Sequence, residues 1–207
     1  MTIRAFIAVE LDEPLRRAIE RVQELVKLAI EPASHDRDHR APHVSWVRPS
    51  SLHLTLKFLG DIDESIVPAL KDEVAAAIGN HAPIDVPLSR LGGFPRLQDP
   101  RNLWLGPDDR WKQHDDARRL QMLVKAIDEI CATHGIPAEA RPFSPHLTLG
   151  RVKAGERQIG RALTNHPTVT ESLHLPVLPI TRITLMKSQL NSKGAIHTAL
   201  WTLQLDR

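Results

Sequence analysis

One tetrapeptide occurs twice in this chain: His53-Leu54-Thr55-Leu56 returns in the second half as His146-Leu147-Thr148-Leu149. Each copy follows a turn signal, Pro49-Ser50-Ser51 in one case and Pro142 with Pro145 in the other. Each also has the alternation of a half-buried strand. Successive side chains of a strand point to opposite faces, so each tetrad sets His and Thr on one face and two leucines on the other. The leucines are ordinary core material. An imidazole and a hydroxyl are not, because burying them without partners costs free energy. If each copy belongs to one half of a pseudo-symmetric fold, the two His-Thr faces can converge on one cleft.

The remaining pattern supplies such halves. A strand is expected over 3–9, and a helix from Pro14 with Asp12 as N-cap, its apolar face made by Leu15, Ile19, Val22, Leu25 and Val26. A polar loop follows over 34–42. Strands at 44–47 and 52–59 then read as a hairpin-like pair. A second helix is predicted over 64–78, strands at 84–91 and 101–105, and a third helix over 112–134 that stops at Gly135. A strand at 144–151, a short helix at 156–163 and strands at 171–175, 181–189 and 196–205 complete the chain. Interspersed helices and short strand-to-strand connections predict an α+β fold with antiparallel pairing, and the lack of any linker or low-complexity segment predicts a single domain over 1–207.

Composition narrows the function classes. Lys+Arg 27 against Asp+Glu 25 leaves a net charge of +2, too balanced for a broad duplex-binding face, so any nucleic-acid contact must be local. No apolar run approaches the roughly 18 residues that span a bilayer. The N-terminus, MTIRAFIAVELDE, has an acidic residue directly behind a short apolar stretch and no small-residue cleavage site, so no signal peptide is expected. The one cysteine, Cys131, has no internal disulfide partner, and a cytoplasmic location is expected. There are 11 histidines and no tyrosine. Outside the tetrads, the other nine histidines read as scattered surface or loop residues.

Two histidines and two threonines sharing a cleft suit one kind of chemistry. Histidine titrates near neutrality, so one of a pair can take a proton from a nucleophile while the other gives one to a leaving group. Threonine hydroxyls donate hydrogen bonds to anionic oxygens. A phosphodiester, with oxygens to hold and in-line attacking and leaving groups, fits this set. Strained cyclic phosphates fit it especially well, because their reactivity reduces the need for a metal. Each tetrad offers one metal ligand, and no HExxH, CxxC or carboxylate cluster accompanies it. Neither a catalytic metal nor a cofactor is expected.

The flanks of the tetrads differ. Strand parity puts Lys57 on the same face as His53 and Thr55, either to hold phosphate or as a solvated strand-end lysine, while the equivalent position in the second copy is Gly150. The same parity sends Phe58 to the leucine face and the core. Phe94 and Trp46 read as core residues, with base stacking as the alternative.

At this point the chain resembles the two-histidine phosphoesterases, and within them the RNA 2',3'-cyclic phosphodiesterases, historically called 2'-5' RNA ligases. The matching stretches are 4–9 (RAFIAV), 46–49 (WVRP), 52–60 (LHLTLKFLG), 91–95 (LGGFP), 102–106 (NLWLG), 141–151 (RPFSPHLTLGR) and 188–195, in the expected order along almost the whole chain. The resemblance implies a bilobed fold, two pseudo-symmetric lobes whose antiparallel sheets face a central cleft with helices outside. It implies metal-independent opening of RNA 2',3'-cyclic phosphate ends to a 2'-phosphate. It implies His53 as proton donor to the 3'-oxygen and His146 as proton acceptor from water, with Thr55 and Thr148 binding substrate; the two identical tetrads do not themselves say which histidine does which. Arg151 matches an arginine common just after the second motif, a phosphate-binding candidate by virtue of its guanidinium. Parity nevertheless puts it on the face opposite His146 unless the strand bulges. The expected partner is RNA with a cyclic phosphate end, with no membrane and no obligate protein partner, the chain acting as a monomer. The alternatives are a small cyclic nucleotide or ADP-ribose cyclic phosphate as substrate, 2'-5' ligation, and a non-catalytic module that binds RNA ends. Two departures from the family pattern stand out: a longer loop over 34–43, and Met186 and His197 in the region where tyrosines are common.

Overall fold

Strands and helices alternate along the chain in the computed structural model, which describes residues 1–31, 41–79, 81–164, 166–167, 173–191 and 194–205. The order is β1 (Thr2–Glu10), α1 (Glu13–Ile30), β2 (His43–Trp46), β3 (His53–Asp63), α2 (Val67–Ile78), β4 (Ile84–Val86), β5 (Arg90–Phe94), β6 (Asn102–Gly106), α3 (Asp115–Thr133), β7 (Leu147–Ala154), α4 (Glu156–Thr164), β8 (Leu178–Ile180), β9 (Arg182–Asn191) and β10 (Gly194–Gln204). Most of the loop expected over 34–42, and residues 171 and 172 of the strand expected at 171–175, lie outside the described residues. Leu173 to Leu175 are not in a strand.

Local chemistry explains the helix ends. The Leu15 N–H donates to Asp12 Oδ1 at 2.9 Å, and Pro14 occupies the first turn of α1, where its missing N–H costs nothing. Gly135 follows α3 with φ +75, the left-handed conformation that glycine adopts without penalty. Leu15, Ile19, Val22, Val26 and Ile30 line the buried face of α1.

The sheet holds two halves. Its order is β10-β9-β1-β3-β7-β6-β5, with β2 also on β7, all antiparallel. One half is β10-β9-β1-β3 and the other is β7 with β2, β6 and β5, joined where Leu54 of β3 pairs with Leu147 of β7. The α+β layout with antiparallel halves and helices outside is therefore as expected, with the halves fused edge to edge at the tetrads. The helices lie against one face, where Ile7, Leu54, Leu103, Leu147, Leu149 and Leu185 join the helix residues in one core cluster. The opposite face carries Phe6, Ala8 and Met186 as a small separate cluster.

Two pairings differ from the sequence expectation. β2 does not form a hairpin with β3; it crosses to the other half and pairs with β7, a non-local partnership that short connection length does not reveal. The stretch over 84–91 is two strands in different sheets, because β4 pairs with β8 in a separate two-stranded sheet. Among the described residues no helix is long and apolar enough to cross a membrane.

Candidate active site

The Leu54–Leu147 pairing sets the two tetrads side by side. In antiparallel register, the neighbours of that pair bring His53 opposite Thr148 and Thr55 opposite His146, all four on the face away from the helices. Leu54, Leu56, Leu147 and Leu149 are buried on the other side, and the His and Thr side chains are half-buried. The sequence-predicted quartet is thus brought together.

Both histidines are held the same way. His53 Nδ1 donates to the Ser51 carbonyl at 2.8 Å, and His146 Nδ1 donates to the Ser144 carbonyl at 2.8 Å. A carbonyl only accepts, so the bond fixes the proton on Nδ1 and leaves Nε2 to exchange one with a ligand. Aromatic rings buttress each imidazole. Phe6 stacks on His53 at 4.7 Å between centroids, and His197 meets both edge-on, at 5.4 Å from His53 and 5.0 Å from Phe6. On the other side Phe94 meets His146 edge-on at 4.9 Å, with Trp104 behind it at 5.2 Å from Phe94. Gly92 makes room for that indole: a Cβ there would sit 2.2 Å from Trp104 Cζ2. Phe94 therefore belongs to the site. Trp46 does not; it packs on the core with Lys27 Nζ 5.5 Å over its ring.

A bulge follows each tetrad at the same place. On β3, Thr55 pairs with Ala8 but Lys57 pairs with Ile7, so Leu56 is the extra residue. On β7, Thr148 pairs with Trp104 but Gly150 pairs with Leu103, so Leu149 is the extra residue. A bulge reverses the parity of everything after it, and this corrects three expectations. Lys57 turns away from the histidines: it is 2% exposed, and its Nζ donates to the Pro137 carbonyl at 2.6 Å and pairs with Asp128 Oδ1 at 2.5 Å. It holds no phosphate. Phe58 is not core but 61% exposed, opposite Phe6 on the histidine face. Arg151 comes round to that face as well, exposed and opposite Asn102, two residues from Trp104 on β6.

His197 corrects a fourth expectation, because it is no scattered surface residue. It stands in the site, placed there by the β10–β9–β1 pairing. Its position among the family's tyrosine sites was the only sequence signal. Phe6, also part of the site, carried no signal distinct from an ordinary strand residue.

Burial lowers the pKa of His53 to about 4; the Ser51 carbonyl opposes this and the neighbouring His197 adds to it. Burial also lowers that of His197. His53 is therefore neutral at pH 7 in the free protein. Among the described residues, no three His, Cys, Asp or Glu side chains gather in a way that could hold a metal ion.

Known proteins resemble this chain in sequence and in fold. The family model of the 2'-5' RNA ligase superfamily matches residues 11–191. The RNA 2',3'-cyclic phosphodiesterase of Methanothermobacter thermautotrophicus is 31% identical over 99% of this chain and 100% of its own length. The protein of the same name from Thermus thermophilus is 30% identical over 96% of this chain and 88% of its own. Among solved structures, E. coli LigT in apo form superposes with a TM-score of 0.73 at 23% identity, covering 100% of this chain and 99% of that one, a likeness of fold.

Proposed function

The chain belongs to the 2'-5' RNA ligase superfamily, and from that premise we propose that it opens RNA 2',3'-cyclic phosphate ends to 2'-phosphates without a metal ion, as a single domain of two halves. The observation that carries this reading is the pair of imidazoles on adjacent strands, each with Nδ1 committed to a carbonyl. Water attacks phosphorus in line with the 3'-oxygen. A new P–O bond forms, the P–O3' bond breaks, one histidine takes the water proton at Nε2, and the other gives its proton to the 3'-oxygen. Thr55 and Thr148 donate hydroxyl hydrogen bonds to the non-bridging oxygens, and Arg151 offers a guanidinium on the same face. One chain supplies both tetrads, so a monomer suffices, and the charge needed is local to the terminal phosphate.

The family resemblance makes His53 the proton donor and His146 the acceptor. In that reading His53 takes its proton from solvent, favoured by the negative charge of the bound phosphodiester, since burial keeps it neutral in the free protein. The low pKa of His53 favours a second reading with the roles exchanged. A substrate bearing sulfur at the 3' position separates them, because a thiolate leaves without a proton. Whichever of His53→Ala and His146→Ala is rescued by sulfur has lost the acid.

The direct test incubates an RNA oligonucleotide with a 2',3'-cyclic end in excess EDTA. Conversion to the 2'-phosphate is expected. No conversion, or conversion only with added metal, overturns the proposal. Turnover of mononucleotide against oligonucleotide cyclic phosphates, and of ADP-ribose cyclic phosphate, fixes the substrate size. Joining of RNA ends puts a 5'-hydroxyl in the place of water as the nucleophile, and is disfavoured because solvent competes with it. Tight binding of cyclic ends without turnover would favour the non-catalytic RNA-end module.

A further inference from the structure

We propose that His197 is a third charge-bearing group of this site: its imidazole takes up a proton when a phosphomonoester dianion binds, and holds the negative charge that opening a cyclic diester creates. The inference deepens the function proposed above and rests on it. A cyclic phosphate carries one negative charge. Its opened form has a P–OH in addition, which ionises with a pKa of about 6, so at neutral pH two charges stand where there was one. The proton that His197 gains comes from that P–OH or from solvent.

His197 is built differently from the tetrad histidines. Each of those has Nδ1 committed to a carbonyl at 2.8 Å. The Nδ1 of His197 is buried without a hydrogen-bond partner, and its ring rests edge-on against His53 at 5.4 Å and Phe6 at 5.0 Å between centroids. Strand register gives the charged and titratable groups on its face. On β9, Ser188 stands opposite it and Arg182 further along; on β1, Arg4 lies beyond Ser188, with Glu10 at the far end; on β3 stand His53 and Asp61. Arg4 is between Ser188 and Asp61, and Glu10 accepts from Thr184 Oγ1 at 3.2 Å. Lys187 is on the other face with Glu64, and Pro49–Ser51, also against β10, carries no charge. His53 is thus the titratable group in contact with His197, and a charge there opposes a charge on its neighbour. Burial opposes it too, lowering the pKa of His197. His197 is therefore neutral in the free protein at pH 7, and an anion beside the two rings reverses the balance. The bulge at Leu56 has removed Lys57 from this half, whereas the second half keeps the guanidinium of Arg151. Beside His53, His197 supplies the missing cation only when it is needed. A tyrosine, common here in the family, cannot do so, because its hydroxyl is never cationic.

The test needs binding alone. Its probes are 3'-deoxycytidine 2'-phosphate, a dianion at neutral pH, and the methyl ester of that phosphate, which keeps a single charge. In the wild type the affinity ratio of the first over the second is expected to fall at least about threefold from about pH 6.5 to about pH 8.5, the linkage of a titration raised by about one unit. His197→Tyr should lose most of that dependence. An equal fall in His197→Tyr overturns the proposal, because the tetrad histidines then explain it; so does a level ratio in the wild type. If His197→Tyr does not fold, the wild type decides by NMR. The His197 Cε1–H titration should move up by about one unit with the monoester and by less with the methyl ester, and an equal or absent shift overturns the proposal. A wild type that opens no cyclic phosphate but shows this shift keeps the anion site and loses the hydrolytic function. One that hydrolyses without the shift keeps the function and loses the anion site.

Discussion

The two halves of this molecule make the same His-Thr face and support it by different means. Each has the tetrad, the Nδ1 bond to the carbonyl two residues before it, and a bulge one residue after its threonine. Beneath the first bulge, the chain buries a charged pair, Lys57 with Asp128 of α3, and a lysine bond to the Pro137 carbonyl. At the second it uses a neutral amide. Gln23 of α1, 2% exposed, donates from Nε2 to the carbonyls of Val47 and Leu149, each at 2.9 Å. The Val47 N–H bonds the same Leu149 carbonyl at 2.9 Å. What is the same in both copies is what the proposed reaction uses; what differs is how each bulge is pinned and which side chain it turns outward.

The largest test of that equivalence removes each histidine. His53→Ala and His146→Ala should each lower turnover at least about 100-fold, the lower range for a general acid or base. Near wild-type rates in either variant, measured by release of the 2'-phosphate, would show that the halves are not both catalytic. The pinning devices should break unequally. Lys57→Met leaves the Asp128 carboxylate, only 19% exposed, without its cation and with the Glu139 N–H alone, and should cost about 3 kcal/mol in urea unfolding. Gln23→Leu leaves Leu149 with its Val47 bond and should cost about 1–2 kcal/mol. Equal losses would mean that the charged pair is no stronger a support than the amide.

A smaller effect should be confined to one half. Gly92→Ala pushes on the Trp104 ring, which backs Phe94 and through it His146. Roughly tenfold lower kcat is expected, with the His53 titration seen by NMR unchanged. The smallest effect belongs to the other half. His197→Asn removes a neighbour that disfavours charge on His53, so the pKa of His53 should rise from about 4. The folded-state value lies below the unfolded one, so this group's contribution to stability is present at neutral pH and is lost as pH falls from about 6.5 towards 4. His197→Asn should narrow that window, and an unmoved titration would mean that burial alone holds His53 neutral.

The convergence of the His-Thr quartet was legible because a repeated two-residue alternation survives translation into strands without knowledge of the rest. So were α1 with its Asp12 cap and the stop at Gly135, since both are local backbone chemistry. The bulges were not legible. Leu56-Lys57 and Leu149-Gly150 look like any other strand dipeptides, and an extra residue in one strand is defined only against its partner. The errors at Lys57 and Phe58, and the apparent misplacement of Arg151, all descend from that single missing fact. His197 and β2 escaped for a related reason: each takes its role from a strand far away in sequence.

The bond from Lys57 to the Pro137 carbonyl reaches further than local support. Lys57 belongs to the strand of the first tetrad, and Pro137 lies in the segment that runs from α3 into the second. Loosening that segment therefore frees a buried ammonium, and loosening the strand frees the segment. Thermal opening at this point is expected to disturb the supports of His53 and His146 together.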